Sequence, residues 1–98
     1  MSNLQLQAHV RRMARDSARV VFTLHALERM ALRSVSDWEV HACLRLGVIE
    51  RPPRWDRLHC SLKCTMEHFG AGRNLAVVVA LDESDPDILV VTVMTRTR

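Results

Sequence analysis

Ninety-eight residues, nearly half of them apolar, specify one small domain with a single core. Four aromatics and no tyrosine leave that core to Val, Leu, Ala and Met, and a net charge of +3 is a mild basic bias compatible with a nucleic-acid partner. The longest apolar run, Leu75 to Leu81, is too short to span a bilayer, and Cys43, Cys60 and Cys64 with no leader pattern suggest free thiols in a reducing cytoplasm.

Leu6, Val10 and Met13 recur at helical spacing within residues 3–16, with Arg11, Arg12 and Arg15 on other faces, so a basic amphipathic helix is expected first. Residues 19–22 are a short extended piece. Thr23 then caps a second helix that runs to about Arg33, with Phe22 and Leu27 spaced as its hydrophobic staple. His25, Arg29 and Arg33 advance about 40° per step on it and share one face, while Ala26, Leu27, Met30 and Ala31 are assigned to the core. Ser36-Asp-Trp-Glu39 is a capping box for a third helix, Val35 and Val40 are its staple, and Gly47 is read as its left-handed terminator.

Pro52-Pro53 excludes helix and central strand alike. From Leu58 the period becomes two: Cys60, Leu62, Cys64 and Met66 point inward, and His59, Ser61, Lys63, Thr65 and Glu67 alternate with them. Residues 70–74 form a turn, Leu75–Leu81 a central strand, and residues 82–87 a second turn with an acidic patch (Asp82, Glu83, Asp85, Asp87). Ile88–Met94 is the last strand before a Thr-Arg-Thr-Arg tail. The expected fold is α+β, with N-terminal helices packed on a three- to four-stranded antiparallel sheet whose extra strand lies near Val20 or Val48. A single domain covers 1–98, with an N-terminal helix in 1–17 and an α+β core in 19–95.

Three groups carry candidate chemistry. The His25, Arg29, Arg33 stripe places a proton-transfer group beside two cations, as phosphate chemistry requires, although a solvated helix face has the same look. The helix's positive end disfavours a proton on the His25 ring, leaving a neutral imidazole able to act as a base. On the first long strand, His59 and Lys63 share the polar face and offer an acid or a phosphate ligand, or simply an ordinary exposed strand. Arg51, Arg54, Trp55 and Arg57 combine cations with one aromatic, suited to stacking a base between phosphates or to closing the core edge. Cys60, Cys64 and His68 are spaced too widely along a strand to share one zinc ion, so no metal or other cofactor is expected.

His25-Ala-x-x-Arg29-Met-x-x-Arg33, followed by a capped helix with Glu39-Val40 and Gly47 and by a sheet ending in Val90-Val-Thr92-Val93, resembles the domain of unknown function 4258 family over roughly residues 20–95. That bacterial group looks related to toxins of the RelE and BrnT type. The resemblance implies a RelE-like α+β fold and metal-independent RNA cleavage, with His25 as base or acid, Arg29 and Arg33 binding phosphate, and His59 or Lys63 assisting. It also implies an antitoxin partner. The family's aromatic near the end of the last strand is absent, since this chain reads Val93-Met94-Thr95. A non-catalytic RNA- or protein-binding module of the same fold, such as a phage-encoded interaction protein, is the alternative expectation.

Overall fold

Ser2 starts the first helix. Its hydroxyl accepts from the Gln5 N–H at 3.2 Å, and the Gln5 side-chain oxygen accepts from the Ser2 N–H at 2.9 Å, a reciprocal cap that the sequence pattern carries as Ser-x-x-Gln. A computed structural model describes residues 2–70, 72–82 and 85–96. Within them α1 (Asn3–Met13) leads through one 3-10 turn to β1 (Val20–Phe22), α2 (Leu24–Leu32) and α3 (Asp37–Leu46). The remainder is strand: β2 (Arg54–Asp56), β3 (Ser61–Gly70), β4 (Arg73–Asp82) and β5 (Asp85–Arg96).

The sheet is larger and more mixed than expected. Five strands run in the order β1-β5-β4-β3-β2, all antiparallel except β1, which pairs parallel to β5 with Val21 opposite Leu89. A parallel pair needs a long crossover, and everything from α2 to β4 supplies it. Pro52 and Pro53 exclude a central strand but not an edge strand beginning just after them, and β2 is such an edge. Val48 contributes only a single bridge, to Glu67. The two hairpin turns are tighter than expected, because Gly70 pairs with Arg73 and Asp82 with Asp85. Gly72 takes a positive φ of 79° in the first. Ala71, Glu83, Ser84, Thr97 and Arg98, which complete the expected turns, acidic patch and tail, lie outside the described residues.

The core lies between the helices and one sheet face. Leu6, Val10, Ala14, Ala26, Met30, Val40, Cys43 and Leu44 meet Cys64, Met66, Leu75, Val77, Val79, Ile88, Val90 and Val93. Val90 and Val93, three apart, both face inward because a register shift between Val78 and Val79 leaves Val91 as an extra residue in β5. Among the described residues, the other face, with Lys63, Thr65, Glu67, Val78, Ala80 and Leu89, carries no helix. Among the described residues no helix is long and apolar enough to cross a membrane.

Helices α1 and α3 cap each other. Arg11 donates from Nε to the Gly47 carbonyl at 2.9 Å and from Nη2 to that of Leu46 at 3.1 Å, while Arg45 Nε reaches the Ala14 carbonyl at 2.8 Å. Each arginine satisfies carbonyls that the other helix end leaves without intrahelical partners. Gly47 is extended (φ −73°, ψ 175°), not left-handed as expected. It is glycine because a Cβ there would run into the Cys43 carbonyl oxygen and come within 2.9 Å of the Glu67 carbonyl oxygen. The left-handed residue after a helix is instead Ser34, with φ 53°.

Two further expectations change. Leu27, the expected staple partner of Phe22, is 48% exposed, and the rings of Phe22 and His41 meet edge to face with centroids 5.9 Å apart. Cys60 is exposed with φ 47° and is not part of the inward row, because β3 begins one residue later. The Glu39 half of the α3 capping box forms, its Oε1 accepting from the Ser36 N–H at 3.3 Å and hydroxyl at 3.1 Å.

Candidate functional site

Asp56 ends β2 and organises the turn into β3. Its Oδ1 accepts from the backbone N–H of Leu58 at 3.0 Å and of His59 at 3.3 Å, the side-chain-to-backbone bonding that makes aspartate a turn former. Its Oδ2 receives His59 Nδ1 at 2.8 Å and Lys63 Nζ at 2.9 Å. Those two hydrogen bonds, first from His59 and then from Lys63, hold the Asp56 carboxyl well below the usual carboxylate range. An ionised carboxylate can only accept, so His59 carries a hydrogen on Nδ1, and its Nε2 is left to exchange a proton with something else.

Strand pairing draws cations to the same corner. Arg54 lies directly opposite Lys63 in the β2–β3 register, and Trp55 opposite Leu62. Arg51, Arg54 and Arg57 form no ion pair among the described residues. A shallow cleft of about 380 Å³ is walled by Arg54, Trp55, Asp56, Arg57, Leu58 and Lys63. Lys63 is also in the wall of a second cleft, of about 370 Å³, on the helix-free sheet face. That cleft crosses three strands: Ser61 and Lys63 from β3 with His59 just before them, Ala80 and Asp82 from β4, and Asp87, Leu89 and Val91 from β5, with Thr23 at its end. Ser61 is 6% exposed and its hydroxyl has no hydrogen-bond partner among the described residues. Two sequence candidates, the strand face and the arginine loop, are thus one corner of the molecule.

The α2 stripe is placed differently from its pattern. Its drift of about 40° per step carries it from solvent into the packing face: His25 is exposed, Arg29 is half-buried, and Arg33 has its Nη1 buried without a hydrogen-bond partner among the described residues. The core side of α2 is Ala26 and Met30, whereas Leu27 and Ala31 face outward. Neither of these two clefts is lined by His25, Arg29 or Arg33. Thr23, two residues before His25, nevertheless closes the end of the sheet-face cleft, donating to the Val91 carbonyl at 3.2 Å and accepting from the Ala26 N–H at 3.0 Å.

Arg73 pins the other end of α2. It makes a forked pair with Glu39, Nε to Oε2 at 3.0 Å and Nη2 to Oε1 at 2.9 Å, and donates to the carbonyls of Arg33 at 3.1 Å and Ser34 at 2.7 Å. Burial alone would raise the Glu39 carboxyl, but hydrogen bonds from Arg73 and Ser36 bring it below its ordinary value. Burial pushes the Cys43 thiol up to about 12 and Cys64 to about 11, which removes both as nucleophiles. Among the described residues no group of three or more His, Cys, Asp or Glu converges as a metal site. At the end of β5, where the aromatic is absent, Val93 is buried and Met94 pairs with Ala76 on the helix-free face.

Sequence reasoning missed Asp56, Ser61, Thr23 and Arg73. For Asp56 a signal existed: an aspartate three residues before a histidine, at the point where the chain must turn into a strand.

A family model described as Domain of unknown function (DUF4258) matches residues 22–95. The chain belongs to the DUF4258 family. The DUF4258 match takes in the Asp56–His59–Lys63 corner and the α2 stripe, and leaves α1 outside. No curated protein and no solved structure matches the chain.

Proposed function

We propose that this DUF4258 protein is a small cytoplasmic RNA-cleaving enzyme, related to RelE- and BrnT-type toxins and independent of metal, working at the Asp56–His59–Lys63 corner. The observation that carries the reading is the 2.8 Å bond from His59 Nδ1 to Asp56, which fixes the ring and leaves Nε2 available, with the Lys63 ammonium on the same carboxylate oxygen. In this chemistry Nε2 takes the proton of a ribose 2′-hydroxyl, and the 2′-oxygen bonds to phosphorus. The bond from phosphorus to the 5′-oxygen breaks, and the leaving oxygen takes a proton from the Lys63 ammonium. Arg51, Arg54 and Arg57 hold flanking phosphates, with Trp55 available to stack a base. His25, with Arg29 and Arg33, lies outside that corner and serves a further phosphate only where the RNA strand continues past Thr23 to α2. His25 follows β1, three strand spacings or ~14 Å from β3, and lines neither cleft, so it is assigned a different phosphate from His59. An antitoxin would cover the same cationic corner.

A non-catalytic RNA- or protein-binding module is the second reading. Asp82 and Asp87 line the sheet-face cleft and repel phosphate there, which favours it. One experiment separates the two: induced expression of the wild type, His59→Ala, Asp56→Asn and His25→Ala, scored for growth arrest and for RNA cleavage by the purified proteins in chelator. Cleavage by the wild type that His59→Ala abolishes is the expected result. A harmless wild type that binds RNA and leaves it intact establishes the second reading, and cleavage that survives His59→Ala moves the chemistry elsewhere.

A further inference from the structure

On the helix side of the β2–β3 corner lies a pocket of about 380 Å³, of which the proposed chemistry uses Trp55 alone. Leu6, Leu62 and Leu81 give it apolar walls, Trp55 an aromatic one, and His9 and Asp82 supply polar groups. We infer that it binds one unpaired nucleobase of the RNA strand, stacked on Trp55 and held by His9 of α1. The inference rests on the protein binding RNA, but not on its cleaving RNA.

Several observations point to a base over another apolar ligand. Trp55 is 62% exposed and is a wall of both this pocket and the arginine cleft, so its ring is open to a stacking partner. That cleft is lined by Arg54, Arg57 and Lys63, and Arg12 lies beside His9, so cations stand next to the apolar pocket. A flat base with phosphates on either side complements that arrangement, whereas a neutral metabolite leaves the cations without a role. The polar groups also suit a base edge. Arg12 Nη2 is 3.2 Å from His9 Nδ1, and a guanidinium can only donate, so Nδ1 accepts and the ring hydrogen is on Nε2. His9 then offers an N–H donor to the acceptors of a nucleobase edge.

The pocket is continuous with the cleavage corner. It shares Trp55 with the arginine cleft and Asp82 with the sheet-face cleft, so a strand bent around the β2 edge meets all three. Two of its walls, Leu6 and His9, come from α1, which lies outside the matched residues 22–95. The base pocket therefore depends on the N-terminal helix of this chain.

The test uses an unstructured, fully 2′-O-methylated oligoribonucleotide, which cannot be cleaved, and an abasic chain of equal charge. With Trp38→Phe, emission reports Trp55 alone, since the chain has two tryptophans. The oligonucleotide should quench that emission and slow alkylation of Cys60, a pocket wall and the exposed cysteine among three. The abasic chain should do neither. Trp55→Ala should weaken binding by roughly 5- to 150-fold, the range for loss of a base–aromatic stack. His9→Ala should weaken it as well, and His9→Gln, which retains an N–H donor, should recover part of the loss, with unfolding curves run beside each variant. Binding that leaves Trp55 emission and Cys60 reactivity unchanged, or equal quenching by the abasic chain, overturns the inference. A wild type that binds no RNA overturns the RNA reading and the pocket together. Quenching without cleavage of native RNA upholds the pocket and removes the enzyme.

Discussion

One carboxylate, Asp56, does three things at once: it closes the turn into β3, fixes the tautomer of His59 and takes up the charge of Lys63. Asp56→Asn removes the ionised acceptor and frees His59 to rotate. Cleavage should fall by roughly 10²-fold, the lower end of what a positioned proton-transfer group contributes. RNA binding should hold or strengthen, because Lys63 is released from its partner. Since the Asp56 carboxyl lies below the ordinary range, its interactions stabilise the fold above the unfolded value of ~3.9 and are lost as the pH falls through the lower folded value. The unfolding midpoints of wild type and Asp56→Asn should therefore differ at pH 7 and converge in the acid range below pH ~4. Alternation alone made His59 and Lys63 legible as polar residues of one strand. Asp56 was not, because its role comes from a turn whose geometry no periodicity encodes.

Helices and strands follow the sequence where the signal is local and depart from it where neighbours decide. The capping serines and the threonine begin their helices as their hydrogen bonds require, and the long apolar run of β4 is the middle strand. The α2 stripe misleads because spacing gives only relative angle. Which part of the helix circumference faces the sheet was settled by Ala26 and Met30, so Arg29 and Arg33 were drawn inward. Gly47 misleads in another way, since its need for no side chain comes from the Glu67 carbonyl on β3 and from Cys43 behind it. A left-handed glycine would accept asparagine at little cost. Here both Gly47→Ala and Gly47→Asn should destabilise by about 3 kcal/mol, as overpacking against fixed carbonyls does, read as a lowered urea midpoint. The Glu39–Arg73 fork ties α3 and the end of α2 to β4. Glu39→Gln should cost about 2 kcal/mol. Because burial would raise this carboxyl and its hydrogen bonds lower it further, that contribution is present above the ordinary value of 4.5 and fades as the pH drops through the folded one.

The molecule as a whole is a sheet covered on one side, with cations gathered at one edge. A net charge of +3 is too small to bind RNA by bulk attraction, so affinity must come from where the charges sit. Arg54, Arg57 and Lys63 line the cleft at the β2 edge and Arg51 precedes that strand in the chain, whereas Asp82 and Asp87 line the cleft on the open face. A strand held by the three arginines, with Lys63 neutralised by Asp56, releases counterions from about three phosphates, and each contributes ~0.7 to the salt slope for a single strand. The logarithm of the binding constant should then fall with the logarithm of salt concentration at a slope of roughly −2. Arg57→Ala should make the slope shallower by ~0.7, measured by fluorescence anisotropy across a salt series. Arg29→Ala gives the contrast that the geometry demands. If the strand ends at the sheet edge, that variant leaves the slope unchanged. If the strand continues past Thr23 to α2, the slope drops by the same ~0.7, and the sequence's first motif recovers a role as the far anchor of the RNA.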